Sequence, residues 1–257
     1  MSAPAVSVIT PAYNAARFLQ AHLDSVRTQT FEDFEHIVVD DGSTDATAAM
    51  LREAASADPR VRPVFQANGG AHEARNVALA AARGRYIGFL DADDLWLPHK
   101  LEHQLAFMRR GGFAMTYHQY RTIGEAGELL SSGPIWMPKR VDYRGYLRLN
   151  GTMGNLTVVI DRDQMGDFRM PDMGAEDFAL FLQLLKRHPA HGLFEDLARH
   201  RVVPGSLSAN KADAMRWIWD VYREQEGIGP VRSAAYMALY VGRGVAKNIR
   251  HKRLRHH

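Results

Sequence analysis

Within the first hundred residues, short β-branched apolar runs alternate with helical stretches, and most of the runs stop at a cluster of polar side chains. Residues 6–10, 34–40, 61–65 and 86–90 read as strands. Residues 18–28, 44 to about 57 and 71–83 read as the helices between them, with Phe18, Leu19, Leu23 and Val26 on one face of the first and Thr44 as the cap of the second. Pro98 sits where the first turn of a further helix accepts it. Strands that are continuous apolar runs are covered on both faces, so the pattern specifies an α/β fold with a mostly parallel sheet between layers of helices. Such sheets bind ligands at the carboxyl ends of their strands. The polar residues collect there: Tyr13 and Asn14 after the first strand, Asp40 and Asp41 after the second, Asp91, Asp93 and Asp94 after the fourth.

The second half is less regular. Residues 113–121 and 156–160 read as strands, 177–187 as an amphipathic helix and 193–203 as an extended segment closed by a Pro204-Gly205-Ser206 turn. There is no repeat. The 257 residues suit one large domain, and the absence of cysteine excludes disulfides, thiolate metal sites and cysteine nucleophiles. No apolar run approaches the ~18 residues of a membrane span, and Met1-Ser2-Ala3-Pro4 lacks the basic and apolar regions of a signal peptide, so a cytoplasmic protein is expected.

Three carboxylates in the four residues Asp91-Ala92-Asp93-Asp94 repel one another unless a cation or strong donors compensate. A hard divalent ion, Mg²⁺ or Mn²⁺, does so, typically with one or two carboxylates plus phosphate oxygens and water. Asp91 and Asp93 alternate onto one side of the chain. Helix capping by Asp93 or Asp94 explains one acid and leaves the others unexplained.

Four segments in order, Val6-Ser7-Val8-Ile9-Thr10-Pro11-Ala12-Tyr13-Asn14, Val38-Val39-Asp40-Asp41-Gly42-Ser43-Thr44-Asp45, Ala74-Arg75-Asn76 and Asp91-Ala92-Asp93-Asp94, resemble family 2 glycosyltransferases over roughly residues 5–100, and more weakly to about Lys211. The resemblance implies the GT-A fold and a metal-dependent transfer with inversion from a nucleotide-diphosphate sugar, UDP foremost, to a glycan or lipid-linked glycan in cell-surface polysaccharide synthesis. It also implies three parts: a nucleotide-sugar half over residues 1–112, an acceptor half over 113–226, and a basic helical tail over 227–257. Pro11, Tyr13, Asn14 and Asp41 match positions around the base and ribose, Arg75 a position near the nucleotide, and Asp91 and Asp93 the Asp-x-Asp motif whose second acid ligates the metal. Standing alone, Tyr13 and Asn14 would read as a strand-to-helix turn, and Arg75 as a surface ion pair with Glu73 or Asp91. In Gly174-Ala175-Glu176-Asp177-Phe178 the resemblance makes Asp177 the general base and Glu176 its orienting partner. Two acids in a first helical turn also suit the helix dipole.

Weaker expectations follow. Arg201 reads as a diphosphate contact or a structural ion pair, and Asp94 and Trp96 as candidates for the diphosphate or acceptor. Val203 stands where many family members have a metal-completing His, so an extra water, or less readily His200, fills that role. Trp96 and Trp136 could stack on a pyranose, although tryptophans are more often core. His99 and His103, four apart on a helix, form a zinc-type pair with no evident third ligand, and a solvated helix face is the better reading.

The charge distribution adds one more expectation. Net charge is +3, yet seven basic residues and no acid follow Gly227, so the preceding residues carry a net −4. A helix over 234–249 puts Met237, Tyr240, Val241, Val245 and Ile249 on one side and Arg243, Lys247 and Arg250 on another, which suits an anionic membrane interface or a solubilising end. That places the protein in the cytoplasm or peripherally on the inner face of the membrane. A sugar nucleotidyltransferase would need a Gly-rich basic phosphate loop, and residues 11–18 contain no glycine; a G-x-G-x-x-G dinucleotide site is absent for the same reason. A nucleic-acid-binding protein is disfavoured by the acidic body and the lack of a binding module.

Overall fold

The computed structural model describes residues 3–148, 153–203 and 211–254. The expected Pro204-Gly205-Ser206 turn lies outside them. The chain runs β1 (Val6–Ala12), α1 (Ala16–Arg27), β2 (Phe34–Asp41), α2 (Thr47–Ala57), β3 (Val61–Gln66), α3 (Ala71–Ala81), β4 (Tyr86–Phe89), β5 (Leu95–Trp96), α4 (Lys100–Gly111) and β6 (Met115–Ile123). It continues through β7 (Arg140–Val141), α5 (Tyr143–Arg148), β8 (Val159–Asp161), α6 (Arg162–Met165), α7 (Glu176–Leu185), β9 (Ala190–Arg201), α8 (Lys211–Asp220) and α9 (Pro230–Leu254).

Among the described residues the strands form one sheet in the order β3-β2-β1-β4-β8-β6-β9-β5, with β7 on β9. The pairs β3–β2, β2–β1 and β1–β4 are parallel, as is β6–β9; β8 joins the two parallel blocks in antiparallel sense. Alternate residues of the central strands feed opposite layers. Ile9, Ile37, Val39, Ile87 and Phe89 pack with α3 and α7, while Val8, Val38 and Ala12 face the side covered by α1, α2 and α4. This two-sided burial leaves β1 and β2 mostly apolar with no exposed residue, Ser7 being paired with Glu35 and Thr10 with His36. Chain order reverses between β1 and β4, so their carboxyl ends open a crevice.

Several local expectations shift. The buried face of α1 is Leu19, His22, Leu23 and Val26, with Phe18 only partly covered. Helix α2 starts at Thr47 after Ala46, which offers no side-chain cap; Asp45 Oδ1 accepts from the Thr47 N–H at 2.9 Å, and Thr44 does not cap the helix. The segment expected as a strand over 156–160 splits into a 3₁₀ turn, Asn155–Thr157, and the short β8. On α9, Tyr236, Met237 and Tyr240 pack on the core, whereas Val231, Leu239 and Val241 are exposed, so Val241 leaves the face it was expected to share with Met237 and Tyr240.

Candidate active site

The crevice is walled on one side by the loop after β1. Pro11 pairs in register with Val39 inside β1, and Tyr13 at its end is half exposed. Asn14 follows in the left-handed region at φ 47°, a conformation that short polar side chains tolerate best among non-glycine residues. Its Oδ1 accepts from the Thr44 N–H at 2.8 Å, and its own N–H donates to Ser43 Oγ at 2.9 Å, which ties the β1 and β2 loops together. Asp41 is buried, its carboxylate accepting from Gly69 N, Gly70 N and Gln66 Nε2 at 2.9, 2.8 and 2.7 Å.

Arg75, on α3, is the hub. Its guanidinium is 5% exposed and bridges Asp91, at the end of β4, to Glu176, the first residue of α7. The expected Glu73 partner is not used; Glu176, 101 residues away, takes its place. Asn76 braces the same region through paired bonds, Nδ2 donating to Met170 O at 2.9 Å and Oδ1 accepting from Met170 N at 2.8 Å. Ala175 enters α7 in the left-handed region at φ 53°, a strained conformation of the kind held in place at functional sites. Asp177 Oδ1 accepts from the Phe178 N–H at 2.7 Å. Burial raises the Asp177 carboxyl above its ordinary range, opposed by the Phe178 N–H and by Arg75. Burial likewise raises Glu176, again against the pull of Arg75.

Asp93 is pushed up to about 7 by burial and by the charges of Asp94 and Asp91. Among the described residues Asp93 has no basic side chain in hydrogen-bonding contact, and oxygen-only donors of this kind match what a hard divalent ion takes.

Three of the weaker expectations are corrected. Asp94 is 2% exposed and accepts from Arg201 N at 2.7 Å, with His200 Nδ1 at 3.1 Å, so it anchors β9 and does not face the crevice. Arg201 is buried: Nε donates to Asp93 O at 2.8 Å, one terminal nitrogen donates to the carbonyls of Gly124 and Glu125 at 3.0 and 2.9 Å, and the guanidinium covers Phe18. It fixes the backbone that presents Asp93. Trp96 is 2% exposed, its Nε1 donates to Leu156 O at 2.7 Å, and Lys100 Nζ sits 3.5 Å from its ring centroid; a side chain enclosed this way cannot stack on a sugar. His200 is raised to about 9, because Asp94 holds its proton against the effect of burial, and its Nδ1 is paired with the Asp94 carboxylate. Trp136, by contrast, is 63% exposed.

A mixed, largely parallel sheet thus carries acids at its switch point, with a second acidic pair joined to them through one arginine. The family described as Glycosyl transferase family 2 matches residues 7–165. A candidate teichuronic acid biosynthesis glycosyltransferase of Bacillus subtilis, TuaG, is 40% identical over 96% of this chain and 98% of its own length. The Escherichia coli enzyme WfgD, named as a UDP-Glc:α-D-GlcNAc-diphosphoundecaprenol β-1,3-glucosyltransferase, is 32% identical over 95% of this chain and 94% of its own. Among solved structures, Staphylococcus aureus TarS (residues 1–349, with UDP-GlcNAc) superposes with TM-score 0.67 at 19% identity, covering 94% of this chain and 72% of that one. The Pyrobaculum calidifontis mannosyltransferase PcManGT, with GDP-Man and Mn²⁺, does so with TM-score 0.67 at 20% identity, over 92% and 70%. The chain belongs to glycosyltransferase family 2 and has the GT-A fold of these neighbours. That membership displaces the nucleotidyltransferase and nucleic-acid-binding alternatives.

Proposed function

We propose that the protein transfers a sugar, with inversion, from a nucleoside diphosphate donor, UDP foremost, to a hydroxyl of a glycan or lipid-linked glycan in cell-surface polysaccharide synthesis. The observation that carries this reading is the Arg75 bridge, which holds the donor-side Asp91 against the acidic pair Glu176 and Asp177. The names of TuaG and WfgD support the pathway and the lipid-linked acceptor, and the UDP-GlcNAc complex of TarS supports the nucleotide.

Pro11, Tyr13, Asn14 and Asp41 form the wall that receives base and ribose. Asp93 would hold Mg²⁺ or Mn²⁺, with Asp91 on the nucleotide beside it, and the ion would offset the charge that grows on the departing diphosphate. Asp177 accepts the proton of the acceptor hydroxyl as its oxygen bonds to the anomeric carbon. The carbon–phosphate-oxygen bond breaks on the opposite face, and its electron pair leaves with the nucleoside diphosphate. One displacement inverts the anomeric centre. Glu176 orients the acceptor, and the Arg75 charge opposes the upward shift that burial gives both acids. Nucleotide release from UDP-, GDP- and TDP-sugars, with Mn²⁺ and with EDTA, tests the reaction. Asp177→Asn is expected to reduce turnover by about 10³-fold, the scale of a lost general base, while the dissociation constant for donor stays within two-fold; substantial residual transfer would remove Asp177 from the role.

The basic tail holds the enzyme reversibly against the anionic inner face of the membrane. Among the described residues no helix is long and apolar enough to cross a bilayer. Support comes from α9, which spends Tyr236, Met237 and Tyr240 on the core and leaves Val231, Leu239 and Val241 outward, next to a run of basic residues worth ~1 kcal/mol each near anionic lipid. Val231→Asp with Leu239→Asp is expected to abolish co-sedimentation with phosphatidylglycerol vesicles without lowering the melting temperature. Undiminished binding would refute the anchor.

A further inference from the structure

At the N-terminal end of α4, His99 at the cap and His103 one turn in acquire partners that sequence alone did not supply. His99, Glu102 and His103 are exposed, and their candidate ligand atoms all lie within 4.8 Å of one another. The imidazoles lie nearly parallel, 5.3 Å apart with 13° between planes. Each is already oriented by a neighbour from elsewhere in the chain or helix. His103 Nδ1 lies 2.6 Å from Glu195 Oε2 on β9, and His99 Nδ1 lies 3.5 Å from Glu102 Oε2. Glu102 Oε2 in turn accepts from Thr30 Oγ1 at 2.6 Å.

We propose that His99, Glu102 and His103 form a Zn²⁺ site, with Glu195 as the carboxylate that fixes His103 and water as the fourth ligand. Two imidazoles and a carboxylate are a donor set that zinc accepts and that Mg²⁺ does not favour. A carboxylate on Nδ1 sets the tautomer and leaves Nε2 for the metal, as metal-bound histidines usually require. Held one turn apart on a helix, the histidines need little ordering to bind.

The position gives the site a consequence. β5 pairs antiparallel with β9, Leu95 opposite Arg199 and Trp96 opposite Ala198. One end of this pair is tied by Asp94 to Arg201 and His200, beside Asp93; the other end is where His103 meets Glu195. A zinc ion there clips α4 to β9 at the far end of the element that presents the donor-side acids, without touching the reacting groups.

The test is calorimetric titration of ZnCl₂ into the full chain in millimolar Mg²⁺, with Co²⁺ absorption as a reporter of coordination. A single zinc equivalent is expected, weakened at least about ten-fold by Glu195→Gln, the usual effect of losing a supporting carboxylate, and lost in His99→Ala with His103→Ala. The Co²⁺ visible bands should disappear in the same double variant. These side chains are exposed, so the zinc-free melting temperatures of the variants should match the parent, and zinc should raise the parent's alone. An unchanged zinc isotherm in the double variant would assign the metal to other groups, such as His251, His256 and His257, and overturn the proposal.

Discussion

Arg75→Met keeps most of the aliphatic stem and removes the guanidinium that joins Asp91 to Glu176. Breaking a buried pair by deleting one partner destabilises by about 3–5 kcal/mol, because the remaining charge stays desolvated. Here Asp91 is 36% exposed and Glu176 20%, so water recovers part of the loss, and the lower end, about 3 kcal/mol, is expected. For a chain of this size that corresponds to a fall in melting temperature of roughly 6–12 °C. A second consequence is chemical. Arg75 lowers the pKa of both Glu176 and Asp177, so its removal raises both, and the acid limb of kcat/KM moves to higher pH. Arg75→Lys, a point charge that cannot fork to two carboxylates, should recover stability only in part. Scanning calorimetry gives the first quantity and pH-dependent nucleotide release the second. A Met variant that melts within 1–2 °C of the parent refutes the buried hub. A variant that melts early but keeps its acid limb leaves Arg75 structural and separates it from the acids.

His22 is fully buried against His36 and Thr10 and is lowered to about 4, mainly by burial. That lies below the roughly 6.5 of a solvated imidazole, so as pH falls the unfolded chain takes up the proton first, and stability drains between about pH 6.5 and 4, by at most about 3 kcal/mol. Urea denaturation at pH 7 and 5 should show a smaller difference for His22→Gln than for the parent, and equal slopes would discount the histidine. Trp96→Phe should destabilise by about 1–3 kcal/mol, since it strands the Leu156 carbonyl, yet leave the KM for donor and acceptor unchanged. A several-fold rise in KM would return Trp96 to the sugar site.

What could be read along the chain was what local physics dictates. β1, β2 and β4 are buried on both faces, so their sequences are mostly apolar, with Ser7 paired to Glu35 and Thr10 to His36, and the residues that end them sit at the crevice. The opening of α7 was visible because Glu176 and Asp177 stand together in a first turn. Positions 19, 22, 23 and 26 have the spacing of a buried helical face, and only the polarity of His22 hid its membership. The omissions are long-range. Nothing near Arg75 points to Glu176, nothing near Arg201 points to the carbonyls of residues 93, 124 and 125, and nothing near Gly174 announces the Trp217 ring, which would collide with any Cβ there.

The same distinction sorts the acids. Five carboxylates gather at the strand ends, and residue type alone makes them equivalent. Asp94 and Asp41 are taken up by N–H donors of the protein, and Asp40 accepts from Ser43 N. Asp91 shares one oxygen with Arg75, and Asp93 has no basic partner in hydrogen-bonding contact among the described residues, which is why its proton is held so tightly. An acid surrounded by like charge gains most from a cation. By that criterion Asp93 is where a divalent ion stabilises the loop most. Arg201 and Asp94, expected to touch the ligand, instead set the backbone on which Asp93 waits.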